Sequence, residues 1–184
     1  MLSVSGRLNT ETAKMIIYKD IVTGDEMFTD AFPIKEVHDG FMFEVEGKRV
    51  CRTETIDDNL LGANPSAEEM SEGNDAATSS GIDIILNHKL SPSPFDKKTY
   101  VSYIKEYMKK LKLKKEKENP DGVDAFTKGM AAVVQSLVKN FKNYEFYTGE
   151  SMNPEGMVAL LDYREDGITP FMLFFKDGLE IEKF

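Results

Sequence analysis

The side chains best suited to nucleophilic and acid–base chemistry are few in this chain: His38, His88, Cys51 and a scatter of serines. His38 sits in "VHDG", a turn or strand end, and His88 ends the run "GIDIILNH". Neither belongs to a recognisable triad, and no Gly-x-Ser-x-Gly elbow, phosphate-binding glycine loop or HExxH helix is present. The serines cluster in polar segments, a poor place to hold a nucleophile in register. "YTGESMNPEG" offers Glu150 and Asn153 but no second catalytic partner. A non-enzymatic role is expected. The single cysteine allows neither an internal disulfide nor a thiolate zinc site, so no zinc is expected and a reducing, cytosolic setting fits best.

Charge is the stronger signal. The 184 residues carry a formal net charge of -9, which disfavours nucleic acid as a partner, since such binders usually present a basic field. The distribution is uneven. Residues 96–119, "DKKTYVSYIKEYMKKLKLKKEKEN", hold nine lysines against four acids, or +5, which leaves -14 on the remainder. Lys97, Lys98, Lys105, Lys109, Lys110, Lys112 and Lys115 spare the apolar positions and stud an outer face. Such a face either solubilises a helix or attracts an acidic partner, weakly and in a salt-dependent way.

The elements that must carry these residues follow from periodicity. The composition is 41% hydrophobic with 12 Phe and 7 Tyr, enough for a real core in one domain. "MIIYKDI" (15–21) reads as a first strand and "TGDEMFTD" (23–30) as an acidic turn. Phe41, Phe43 and Val45 alternate with Met42, Glu44 and Glu46, and Gly47 marks a hairpin turn before "KRVCR". "GIDIILNH" (81–88) reads as another alternating strand, and Pro92 and Pro94 bar further strand pairing. Tyr100, Tyr103, Ile104, Tyr107, Met108 and Leu111 then fall on one helical stripe, "NPDG" stops that helix, and a second stripe runs from Phe126 to Phe141. The two form an antiparallel helical hairpin over 95–141. "YEFYTG", "MVALLDYR" and "PFMLFFKDGLEIEKF" are strands, with Asp177-Gly178 as a hairpin turn. The class is α+β, mostly antiparallel sheet with the hairpin to one side. Residues 57–80 cannot recover their ordering entropy by burial and are expected to form a long flexible loop. Residues 1–14 are expected to be a disordered N-terminal extension, without a secretory signal, and "PFMLFF" is far too short to span a bilayer.

Several of these segments are similar to one family. "LGANPSAEE" (61–69) resembles its first signature, and "FKNYEFYTGESMNPEGMVALLDYREDGITPFMLFFKDGLEIEK" (141–183) its second signature and C-terminal strands. "MIIYKDIVTGDEMFTD", "FEVEGK" and "GIDIILNH" also match. The family is that of the translationally controlled tumour proteins, also called fortilin or histamine-releasing factor, and the resemblance covers 15–184. It implies a β-tent-like core related to that of a zinc-containing Rab chaperone, whose paired metal cysteines are lacking here, with a helical hairpin and a mobile loop. Relatives often end in a cysteine that can link two molecules; Phe184 stands here instead, so that route to a dimer is not expected. Asn59 occupies the position of a serine phosphorylated in some relatives.

The resemblance also implies sites. Calcium binding would draw on Asp25, Glu26, Asp57, Asp58 and Asn64, with Glu54, Glu68 and Glu69 nearby. No EF-hand pattern exists, and ordering a loop costs free energy, so affinity is expected to be weak, roughly 10⁻⁴–10⁻³ M. The lysine face is implied to meet tubulin and microtubules. Glu26 corresponds to an acid implicated in promoting nucleotide exchange on a Rheb-like small GTPase; the plain alternative is a turn acid. A translation elongation factor and anti-apoptotic regulators are further implied partners, in support of growth and survival. The implied location is cytoplasmic, with release by a non-classical route as a further implication.

Overall fold

The computed structural model describes residues 14–53 and 78–184. Eleven strands are found among them: β1 (Ile16–Asp20), β2 (Glu26–Thr29), β3 (Ile34–Val37), β4 (Met42–Glu46), β5 (Arg49–Thr53), β6 (Thr78–Ile82), β7 (Ser91–Pro92), β8 (Glu145–Thr148), β9 (Ala159–Tyr163), β10 (Pro170–Phe175) and β11 (Leu179–Lys183). Three helices accompany them: α1 (Asp83–His88), α2 (Lys97–Glu118) and α3 (Val123–Lys139). The strands form a six-stranded sheet in the order β3-β4-β10-β9-β8-β7, a three-stranded sheet β11-β1-β2 and a ribbon β5-β6. Every pairing is antiparallel. The α+β class with a helical hairpin is therefore what the chain adopts.

Aromatic side chains join the layers. Phe28 on β2 stacks on Tyr18 at 4.4 Å between centroids and meets Phe174 on β10 at 4.5 Å, tying the small sheet to the large one. On the other flank, Tyr100 of α2 lies 4.8 Å from Phe146 on β8, and Tyr107 lies 5.7 Å from Phe175 on β10. Buried Asp20 fastens a corner of this core. Its carboxylate accepts hydrogen bonds from the amides of Val22 (3.0 Å) and Met157 (2.8 Å) and from the Thr23 hydroxyl (2.9 Å).

The hairpin forms where its periodicity places it. Asp96 caps α2, accepting from the Thr99 amide at 2.7 Å. Pro120 ends it by forcing Asn119 out of helical geometry, to φ -151° and ψ 80°. Tyr100 lies near Phe141, and the Lys115 ammonium near the Phe126 ring, so the two helices run antiparallel.

Six local expectations are corrected. Residues 78–80, expected within the flexible loop over 57–80, belong to strand β6 and pair with β5, while the rest of that loop and residues 1–13 of the expected extension lie outside the described residues. Glu26–Thr29 is strand β2 rather than a turn, because its two phenyl- and thioether-bearing residues, Phe28 and Met27, are fully buried. The segment 83–88 is helix α1 rather than strand. Its apolar run suits either period, but Ile84 and His88, four apart, are buried along with Asp83, and Lys89 closes the helix in the left-handed region at φ 52°. Strands β4 and β5 do not form a hairpin about Gly47. Both edges of β4 are occupied, by β3 and β10, so β5 pairs with β6 instead. Asp177-Gly178 likewise makes no hairpin: a 3₁₀ turn at Lys176–Gly178 carries the chain from β10 in one sheet to β11 in the other. Ser91-Pro92 does pair, with Thr148 and Tyr147, as an edge strand where the missing proline amide is tolerated.

Candidate functional site

The lysines of α2 divide into two groups by what their ammonium groups reach. Lys110 donates to the Glu155 carbonyl at 3.1 Å and lies 3.7 Å from its carboxylate. Lys114 donates to the Asp177 carbonyl at 3.1 Å, and Lys115 pairs with the Asp177 carboxylate at 3.5 Å. These three, on the half-buried flank, hold α2 against the loops that follow β8 and β10. Lys97, Lys98, Lys105 and Lys112 are exposed and make no ion pair among the described residues. Among the described residues Lys109 pairs only with Glu106, at 3.0 Å, and both side chains are 71% exposed, a pair of little energetic weight. Lys97 and Lys98 stand in the first helical turn, which carries no acid and where the helix dipole disfavours cations by roughly 0.3–1 kcal/mol each. Asp96 before them offsets part of this, its carboxyl held below its usual range by hydrogen bonds from Thr99.

A second site lies where β2 meets α1. Gly24, Asp25, Glu26, Asn87, His88, Lys89 and Glu150 line a hollow of about 340 Å³. Asp25 is already engaged: its Oδ2 accepts from the Ser151 hydroxyl at 2.5 Å and the Ser151 amide at 3.2 Å. Gly149 lies so close that any side chain there would meet the Asp25 carboxylate. Lys89 and Glu150 pair at 3.3 Å. Glu26 is half-exposed, with Oε2 4.0 Å from His88 Nδ1. The His88 ring is buried, packs edge-on to Phe32, and has no hydrogen-bond partner for either nitrogen among the described residues. Burial lowers its pKa below the ordinary value, with the Glu26 charge opposing that shift.

Among the sequence-derived candidates, Asp25 and Glu26 thus share one hollow. Asp57, Asp58 and Asn64 lie outside the described residues, and no three metal-ligating side chains cluster among those described. Sequence reasoning missed the burial of His88, which follows from its four-residue spacing to Ile84 once 83–88 is helical. It also missed the groove between α2 and α3, lined by Ile104, Met108, Phe126, Met130 and Val134, with Lys105, Lys109 and Lys112 along one rim. A signal existed in that Met108 and Val134 belong to the two apolar stripes yet stay only partly buried in the fold.

The fold and these surfaces define an α+β sheet-and-hairpin protein whose candidate sites are a lysine-bearing helical arm and an acidic corner of the small sheet. The family model described as translationally controlled tumour protein matches residues 15–180. A translationally-controlled tumor protein homolog of Scophthalmus maximus is 63% identical over 169 residues, covering 92% of this chain and 99% of the relative. The translationally-controlled tumor protein of Homo sapiens is 54% identical over 171 residues, with the same coverage. Among solved structures, the translationally controlled tumor-associated protein of Schizosaccharomyces pombe superposes with a TM-score of 0.75 at 46% identity, covering 92% of this chain and 99% of that one. The chain belongs to the translationally controlled tumour protein family.

Proposed function

We propose that this chain is a non-enzymatic interaction protein that docks acidic protein surfaces, those of microtubules among them, through the outward lysines of α2. The observation that carries this reading is the division within α2: Lys110, Lys114 and Lys115 are spent on internal contacts, whereas Lys97, Lys98, Lys105 and Lys112 face solvent without an ion pair among the described residues. Long exposed ammonium groups on a rigid helix give a salt-sensitive field suited to an acidic polymer. Replacing Lys105, Lys109 and Lys112 with glutamate is expected to abolish co-sedimentation with stabilised microtubules at low salt. Unchanged co-sedimentation would refute this reading. Family membership supports a cytoplasmic role in growth and survival; the elongation-factor and anti-apoptotic partners rest on that membership alone. No described helix is long and apolar enough to cross a membrane.

The corner supports a second reading, contact with a Rheb-like small GTPase through Glu26. That carboxylate is half-exposed on the rim of an open hollow, free to meet the Mg²⁺ or a lysine at a nucleotide site. Glu26→Ala is expected to slow partner-stimulated nucleotide release; a release rate equal to that of the unaltered chain would remove this reading. Weak calcium binding would use Asp25 and Glu26 with Asp57, Asp58 and Asn64. Asp25 would have to give up its two bonds from Ser151, which adds a cost consistent with weak affinity. Amide shifts at Asp25, Glu26 and Ser151 in millimolar Ca²⁺ are expected; their absence, with no calorimetric heat, would exclude the site.

A further inference from the structure

We infer that the groove between α2 and α3 is a seat for an amphipathic helix with an acidic flank, contributed by a partner protein. The inference rests on the lysine-docking reading above and narrows it, because a bare acidic tail would need the lysines but not the groove.

The groove is about 510 Å³ and is lined by residues of α2 and α3 alone. Its floor is apolar. Ile104, Phe126 and Met130 are nearly closed off by their neighbours, while Met108 and Val134 stay half-buried with their tips toward the groove. Two adaptable thioethers in one floor suit a surface that moulds to a partner. The rims differ. The α2 rim carries Lys105, Lys109 and Lys112, which with Glu106 sum to +2. The α3 rim is small and uncharged: Thr127, Ala131 and Gln135, at positions i, i+4 and i+8. A neutral, low rim lets a cylinder approach closely, and a charged rim on one side sets its orientation.

Dimensions select a helix. Lys105 to Lys112 advances about 10 Å along the axis, roughly two turns. A partner helix laid in the groove would set apolar residues at i, i+3 or i+4, and i+7 on the floor, completing a three-helix packing. Its acids would have to lie on the α2 side. An extended polyanion could satisfy the lysines but would leave Met108 and Val134 uncovered.

The test uses the full chain and two synthetic 16-residue peptides of the same composition. One places leucines along a single helical stripe with glutamates on the flank; the other is scrambled so that the leucines spread around the helix. Fluorescence anisotropy at low and physiological salt is expected to show the striped peptide binding on the order of tenfold more tightly than the scrambled one. Ala131→Trp, an exposed rim position, fills the groove without disturbing the core and is expected to remove that advantage. The triple change Lys105→Glu, Lys109→Glu, Lys112→Glu is expected to weaken binding and flatten its salt dependence. Equal affinity for the two peptides, or indifference to Ala131→Trp, would overturn the groove assignment. Microtubule co-sedimentation separates the two levels. Loss with the triple change but not with Ala131→Trp would leave the acidic-surface reading standing and refute the groove; no loss with either would refute both. A self-association in sedimentation equilibrium that Ala131→Trp abolishes would make the occupant a second copy and also overturn the proposal.

Discussion

The outward face of α2 and the corner between β2 and α1 handle charge in opposite ways. On α2 the free ammonium groups stand in water, and their removal leaves nothing buried and unpaired. At the corner an imidazole is sealed beneath a half-exposed carboxylate with no hydrogen-bond partner among the described residues. A surface of the first kind can change its charges with little effect on folding, so partner recognition can evolve there independently of stability. A site of the second kind ties its protonation state to the stability of the fold.

The contrast within the hairpin breaks most visibly through its packed face. Ile104, almost wholly buried, is expected to cost about 2–5 kcal/mol on truncation to alanine, read as a lower urea midpoint. The tyrosines of the same face sharpen the point. Tyr103 donates to the Gly156 carbonyl at 2.6 Å and accepts from the Val158 amide at 3.0 Å, so Tyr103→Phe should cost about 1–2 kcal/mol. The Tyr100 and Tyr107 hydroxyls are buried without hydrogen-bond partners among the described residues, and burial pushes both well above the ordinary tyrosine pKa. Tyr107→Phe should therefore leave stability unchanged or raise it by up to about 1 kcal/mol. A loss as large as that at Tyr103 would mean the hydroxyl is satisfied in solution.

At the corner, the His88 pKa is lowered on folding, so the unfolded chain binds the extra proton first. Stability from neutral His88 is complete above the unfolded pKa near 6.5 and falls as pH drops through the window between 6.5 and the lower folded value. Urea midpoints at pH 7.5 and 5.5 should separate for the unaltered chain and separate less for His88→Phe. The smallest effects belong to the lysines. Alanine at Lys110, Lys114 or Lys115 should cost at most about 1 kcal/mol each. At Lys105 or Lys112 the change in stability should stay within about 0.5 kcal/mol, while salt-dependent binding to an acidic partner weakens. Equal stability losses in the two groups would erase the distinction between clamps and free charges.

Two Asp-Gly pairs show where sequence reading stops. Asp39-Gly40 closes the β3–β4 hairpin, with His38, Asp39 and Gly40 all at positive φ, from 52° to 84°. Asp177-Gly178 carries the same dipeptide between two apolar runs, yet Gly178 is absent from the positive-φ conformations. It is glycine for a different reason: a Cβ there would collide with the Tyr107 hydroxyl. The local signal is identical; what differs is a helix some seventy residues away in the chain. The same holds for "GIDIILNH", where burial of His88 against Phe32 selects helix over strand.

The sequence by itself determined the two helices of the hairpin, seven of the eleven described strands and the concentration of positive charge on α2, because each rests on periodicity or composition within a single segment. Tertiary structure alone decided which strands pair, since an edge already occupied excludes a neighbour that local pattern favours. It also decided which lysines are free and that Asp25 and Glu26 share a hollow with His88. Those outcomes depend on where a long side chain finds a carbonyl or a carboxylate from a remote segment, and no spacing along the chain encodes that distance.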